Sequence, residues 1–208
     1  RARVAFVRRH RFDGNMLEGI HSMKTIQDAG SALRARRVCC VELVEQALNS
    51  EEAARDLNCF ITLTPQDALD EAKRLDAELA GGKDRGPLHG IPVLVKDNIA
   101  TDDNMDTTAG SLALLRSHVP ADAVIIQQLR EAGAVILGKA NLGEWANFRD
   151  DEAETYPLAV GWSARGGSTN NAYDLSYTSW GSSSGSANGA AANLCSVAVG
   201  TETDGSIT

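Results

Sequence analysis

The sequence predicts an α/β fold, and three observations carry that prediction. Val93 to Val95, Ala134 to Leu137 and Val197 to Val199 are short apolar runs of the kind buried strands make. Between the first two, Pro120 and Asp122 open a helical segment with Val124, Ile125, Leu129 and Ala132 on one face, and Gly133 stops it. Strand, helix and strand at this spacing form a parallel crossover unit, the building block of α/β proteins.

The elements before this unit read as support for it. Residues 22–50 carry an irregular helical pattern through Ile26, Leu33, Val38, Val41, Leu43, Val44 and Leu48, expected as a peripheral helical layer. With the basic start (Arg1, Arg3, Arg8, Arg9, His10, Arg11), read as a solvated tail or fragment boundary more readily than as a targeting remnant, this layer makes a first segment over 1–58, and the main α/β segment follows over 59–208. Cys59 to Leu63 is a short strand. Thr64, Pro65 and Asp67 then mark a helix start: a capping hydroxyl, a proline at the first helical position and an acid near the positive end of the dipole. Leu69, Ala72, Leu75 and Leu79 form its apolar stripe, Gly81 and Gly82 end it, and Asp70, Lys73, Arg74, Asp76 and Glu78 read as a solvated face.

After the crossover unit, Asn141 and Glu144 are expected to cap a short helix carrying Trp145 and Phe148. Arg149 to Glu154 reads as an exposed acidic stretch, and the segment from Gly161 as a long loop in which Trp162 and Arg165 serve as anchors more readily than as site residues. Ala187 to Leu194 is alanine-rich and reads as a short helix leading into the Val197 strand.

Composition narrows the function. At 208 residues the chain can bury a sizeable core. With 20 basic and 28 acidic residues its net charge is −8, which argues against nucleic acid as a principal partner. No apolar run reaches the length of a membrane span. The four cysteines form no C-x-x-C pair, and His10, His21, His89 and His118 are scattered, so neither a disulfide framework nor a metal site is expected. A reducing compartment is compatible with this usage. Gly133 to Lys139 nearly fits a phosphate loop, but Ala140 stands where a magnesium-binding hydroxyl belongs and the intervening residues are strand-like.

The chemistry concentrates in Gly181 to Thr208, which sets two serine-glycine clusters at the ends of one compact unit. A strand-returning helix between them brings Ser182 and Ser206 together. A serine nucleophile needs a base, and its tetrahedral product needs N–H donors, which the loop Thr203, Asp204, Gly205, Ser206 can supply. A flexible linker is the competing reading of GSSSGSANG, weakened by the buried-type strand that follows. Lys96, directly after a buried strand, reads either as a polar-site lysine or as a strand-end partner of Asp97.

Taken together, GPLHGIPVLVKDNI, TTAGSLALL, REAGAVILGKANLGEWANF, GSSSGSANGAAANL and GTETDGSI resemble the amidase signature family of serine hydrolases from about residue 60 onward. The resemblance implies a mixed central sheet flanked by helices. It also implies a Ser, cis-Ser, Lys triad, in which Lys96 matches the family's lysine, Ser182 the serine after the cis peptide and Ser206 the nucleophile. The expected activity is cleavage of a small-molecule or peptide amide, without metal or organic cofactor. Glu202 and Asp204 stand where many members have Asp and Gly, Ser184 replaces a glycine, and Trp180 is unfamiliar before Gly181. Because members continue beyond their nucleophile, a chain ending at Thr208 is expected to be a C-terminally truncated, poorly stable and inactive portion. The alternatives are the amidase-like component of a glutamyl-tRNA amidotransferase, a catalytically inactive member and, outside the family, a nucleotide-binding protein.

Overall fold

The computed structural model describes residues 25–148 and 160–207. The arginine-rich start, the acidic stretch Arg149 to Glu154 and Thr208 lie outside the described residues. Two helices open the fold, α1 (Ile26–Arg34) and α2 (Cys40–Ala53), followed by β1 (Phe60–Leu63), α3 (Pro65–Ala80) and β2 (Pro92–Lys96). Next come α4 (Val124–Glu131), β3 (Val135–Ala140), the two-residue strands β4 (Trp162–Ser163) and β5 (Gly167–Ser168), α5 (Ser184–Ala191) and β6 (Val197–Val199).

The main sheet runs in the order β1-β3-β2-β6. β2 is parallel to both β3 and β6, while β1 joins antiparallel to β3, so the sheet is mixed and the β2–α4–β3 crossover is the parallel unit the spacing predicts. Alternation along the strands divides the core between two faces. Leu94, Val135 and Leu137 pack with Leu33, Val44 and Leu75 from α1, α2 and α3. Val93, Val95, Ile136 and Val199 face Ile126 and Leu129 of α4. The first two helices therefore share the core of the sheet rather than resting at its margin.

Local expectations fail where side chains have tertiary work. Thr64 stands at the N-cap of α3 but makes no side-chain cap; its hydroxyl reaches the Leu137 carbonyl at 3.4 Å. Asp76 is not purely a surface acid: its carboxylate accepts the Cys40 and Val41 N–H groups at 2.7 and 3.2 Å, capping the start of α2. There it acts beside a capping box between Cys39 and Glu42. Helix α4 starts after Ala123, and Asp122 pairs with Arg130 at 2.9 Å instead of capping. This register buries Ile126 and Leu129 and leaves Val124 68% exposed, so the predicted apolar face is rotated.

The helix expected at Asn141 and Glu144 is only a 3-10 turn over Glu144–Asn147, with Trp145 and Ala146 at φ 52° and 57°. Neither predicted cap is free to cap it. Asn141 is buried and holds Ser163 Oγ and the Gly167 carbonyl at 2.8 and 3.0 Å, while Glu144 accepts the Ala164 N–H at 2.6 Å. Helix α5 begins at Ser184, three residues earlier than its alanine content indicates.

Candidate active site

The site forms at the carboxyl ends of two adjacent parallel strands, the usual place for chemistry in an open α/β sheet. β2 and β6 are aligned with Val95 beside Val199, so Lys96 and the loop leaving Gly200 emerge together. Helix α5 lies against both strands and presents Ser182 and Ser183 at its start. Ser186 Oγ donates to the Val199 carbonyl at 3.0 Å and pins α5 to β6.

This approach depends on a missing side chain at Gly185. A Cβ there would sit 2.3 Å from the Cys59 carbonyl oxygen and 2.6 Å from the Asn141 nitrogen. The Gly185 N–H instead donates to the Asn141 carbonyl at 2.9 Å. The glycine of GSSSGS therefore serves close backbone packing, and Ser182, Ser183, Ser184 and Ser186 are all buried, which removes the linker reading.

Three functional groups lie in one hydrogen-bonded row. Lys96 Nζ donates to Ser182 Oγ at 2.7 Å, and Ser182 Oγ donates to Ser206 Oγ at 2.8 Å. Lys96 and Ser182 are fully buried, whereas Ser206 is partly exposed, so the row runs from the interior to the surface. The Gly181–Ser182 peptide is cis. Ser206 opens onto a cavity of about 430 Å³, whose wall includes Trp180, Gly181, Ser183, Gly205 and Ile207.

Burial holds the Lys96 amine far below its ordinary value of 10.5, at about 7. Its other contacts are Ser183 Oγ at 3.0 Å and the Thr201 carbonyl at 3.2 Å. An ammonium would donate to all three partners, whereas a neutral amine has two N–H donors and one lone pair. The neutral amine would donate to Ser183 and Thr201 and accept from Ser182. The distances serve either direction of the Ser182 bond, so deprotonating Lys96 reverses the row without moving heavy atoms.

Asp97 is not the partner of Lys96. Its buried carboxylate accepts the Thr108 hydroxyl and the Gly110 N–H, and it faces the Arg165 guanidinium at 3.5 Å. Burial is the main influence and pushes the Asp97 carboxyl up, opposed by these bonds and by Arg165. Arg165 also donates to Thr62 Oγ1 at 2.8 Å, confirming it as an anchor that ties its loop to β1 and the 107–111 segment. Lys139, the lysine of the apparent phosphate loop, is fully buried in β3 and donates to the Ile99 carbonyl at 2.6 Å and Thr107 Oγ1 at 3.0 Å. A lysine so enclosed cannot reach a nucleotide phosphate. Burial lowers its amine to about 8.

The loop expected to hold an oxyanion lies beside Ser206, with one constraint. The Gly205 N–H already donates to Glu202 Oε1 at 3.0 Å. Sequence reasoning also missed two holders of Lys96. Ser183 is hidden within a run of three serines, where spacing alone does not say which hydroxyl meets the lysine. Thr201 acts through its backbone, which leaves no side-chain signature.

Known proteins resemble most of this chain. The family model described as Amidase matches residues 42–208. A curated Schizosaccharomyces pombe protein named as an amidase is 54% identical over 151 residues, covering 73% of this chain and 25% of its own length. A component of the glutamyl-tRNA(Gln) amidotransferase of Symbiobacterium thermophilum is 39% identical over 175 residues, covering 83% of this chain and 34% of its own. Among solved structures, the native peptide amidase of Stenotrophomonas maltophilia aligns with a TM-score of 0.81 at 47% identity, covering 88% of this chain and 37% of that one. The chain thus spans about a quarter to a third of the length of the curated relatives cited. With the family model matched over residues 42–208 and relatives at these identities, this chain belongs to the amidase family.

Proposed function

We propose that this protein hydrolyses a carboxamide C–N bond with Ser206 as nucleophile, Ser182 as proton relay and Lys96 as base. The observation that supports the reading most strongly is the buried row from Lys96 Nζ through Ser182 Oγ to Ser206 Oγ, at 2.7 and 2.8 Å. A hydroxyl is a weak nucleophile until a positioned base takes its proton, and a lysine serves as that base only when neutral.

In this account Ser206 Oγ attacks the amide carbonyl carbon while its proton passes to Ser182, whose own proton passes to Lys96. Backbone N–H groups of the Thr203 to Ser206 loop stabilise the oxyanion, with Gly205 exchanging Glu202 for the substrate oxygen. The proton then returns along the row to the departing nitrogen, the C–N bond breaks and ammonia or an amine leaves. Water, deprotonated through the same row, attacks the acyl-serine ester and releases the acid.

Ammonia release from a panel of primary amides tests the reading. Turnover by the full-length protein that disappears in Ser206→Ala supports it, and turnover that persists overturns the assignment. Glutamine belongs in the panel because of the 39% identity to an amidotransferase component. Glutaminase activity dependent on added partner proteins would favour that second reading over a free-standing amidase.

A further inference from the structure

The wall of the cavity beside Ser206 is built mainly from small residues: Gly181, Ala187, Ala190, Ala198 and Gly200 make room, and serines fill much of the rest. Among the described residues, Trp180 and Ile207 are the two large apolar side chains that line it. Trp180 is 69% exposed, although an indole gains most from burial. Its backbone lies at φ 53°, in the left-handed region that glycine occupies at far lower cost. The position is also pinned, since the Trp180 N–H donates to Thr178 Oγ1 at 3.2 Å and Ser179 Oγ donates to the Trp180 carbonyl at 3.3 Å. A bulky aromatic in a glycine-like conformation, poorly buried and fixed two residues before Ser182, has a cost that packing does not offset within the described residues. Such an outlier beside a reactive centre points to a ligand contact.

We propose that Trp180 is a specificity-determining residue, its indole forming one wall for an aromatic or extended apolar group attached next to the scissile amide. The inference rests on the amide-hydrolase reading of Ser206. A cavity of about 430 Å³ lies in the range of small-molecule sites and has room for such a group beside the reacting carbonyl. The flat ring offers stacking and edge contacts that a methyl-sized substituent cannot use.

The test compares N-acetyl-phenylalaninamide with N-acetyl-alaninamide, which share the reacting carboxamide, on the full-length protein and on Trp180→Ala and Trp180→Phe. The ratio of kcat/KM for the aromatic over the small amide should fall on the order of tenfold in Trp180→Ala, mainly through KM, and should largely survive in Trp180→Phe. An unchanged ratio overturns the inference, whether or not both substrates slow together. A second readout avoids turnover: the aromatic amide should quench indole fluorescence in Ser206→Ala, and the quench should vanish when Trp180→Phe is added. Persistence of the quench counts against Trp180. If the unaltered protein releases ammonia from neither amide nor any other, the hydrolase reading fails and this inference falls with it. Activity with an unchanged ratio refutes the inference alone.

Discussion

Replacing Lys96 with methionine separates what this residue does for chemistry from what it costs the fold. Burial lowers its amine from 10.5 to about 7, a difference equivalent to about 5 kcal/mol of preference for the neutral form. The unfolded chain keeps its proton up to about pH 10.5, so between about pH 7 and 10.5 it binds more protons than the folded chain. Stability therefore rises with pH across that window, and below about pH 7 the folded protein carries the whole penalty. Methionine has similar length and no charge, but it gives up the bonds to Ser182, Ser183 and Thr201. At about 1 kcal/mol each, these losses total about 3 kcal/mol. Their partners retain other bonds, since Ser182 still meets Ser206 and Ser183 still meets Thr201. Near neutral pH the variant should thus be more stable by about 1 to 2 kcal/mol, and near pH 10 less stable than the parent. Urea unfolding of the full-length proteins at three pH values measures the swing. Amide turnover should meanwhile fall by about 10²- to 10⁴-fold, the usual contribution of a general base. A stability difference that stays constant with pH would show instead that Lys96 remains charged throughout.

Three further outcomes follow from the same geometry. The kcat/KM profile should show an acid limb near pH 7, falling about tenfold per pH unit below it as Lys96 takes up its proton; a flat profile down to pH 5 would exclude Lys96 as base. Gly185→Ala forces a methyl group into the Cys59 and Asn141 backbone and should cost about 1 to 3 kcal/mol in thermal unfolding while slowing turnover; an unchanged Tm would contradict the close packing of α5. Asp97→Asn leaves the Arg165 guanidinium without its carboxylate and should destabilise by about 3 to 5 kcal/mol, read by chemical denaturation; a cost below about 1 kcal/mol would show that the anchor does not depend on charge.

Much of the architecture is legible in the sequence because periodicity reports burial directly. The three apolar runs are β2, β3 and β6, and the crossover spacing places β2 beside β3 in parallel. What is illegible depends on partners distant in sequence. Asp76 looks like any other acid on a charged helix face until α2 is brought against it, and Asn141 resembles a helix cap until loop carbonyls claim its amide. The register of α4 is hidden because Val124, Ile125 and Ile126 are equally apolar, and only packing against β3 selects the last. Within the site, Lys96, Ser182 and Ser206 stand out through family motifs and serine spacing. Ser183 escapes because its neighbours are chemically identical, and the Thr201 carbonyl because every residue has one.

In the proposed mechanism Ser206 is an activated serine at the surface end of a buried relay. Peptide-mapped intact-mass labelling of the full-length protein with a fluorophosphonate tests it most directly. A single adduct is expected on Ser206, absent in Ser206→Ala and formed at least about a hundredfold more slowly in Lys96→Met. An adduct on Ser182 or Ser183, or one on Ser206 that forms equally fast without Lys96, would contradict that mechanism.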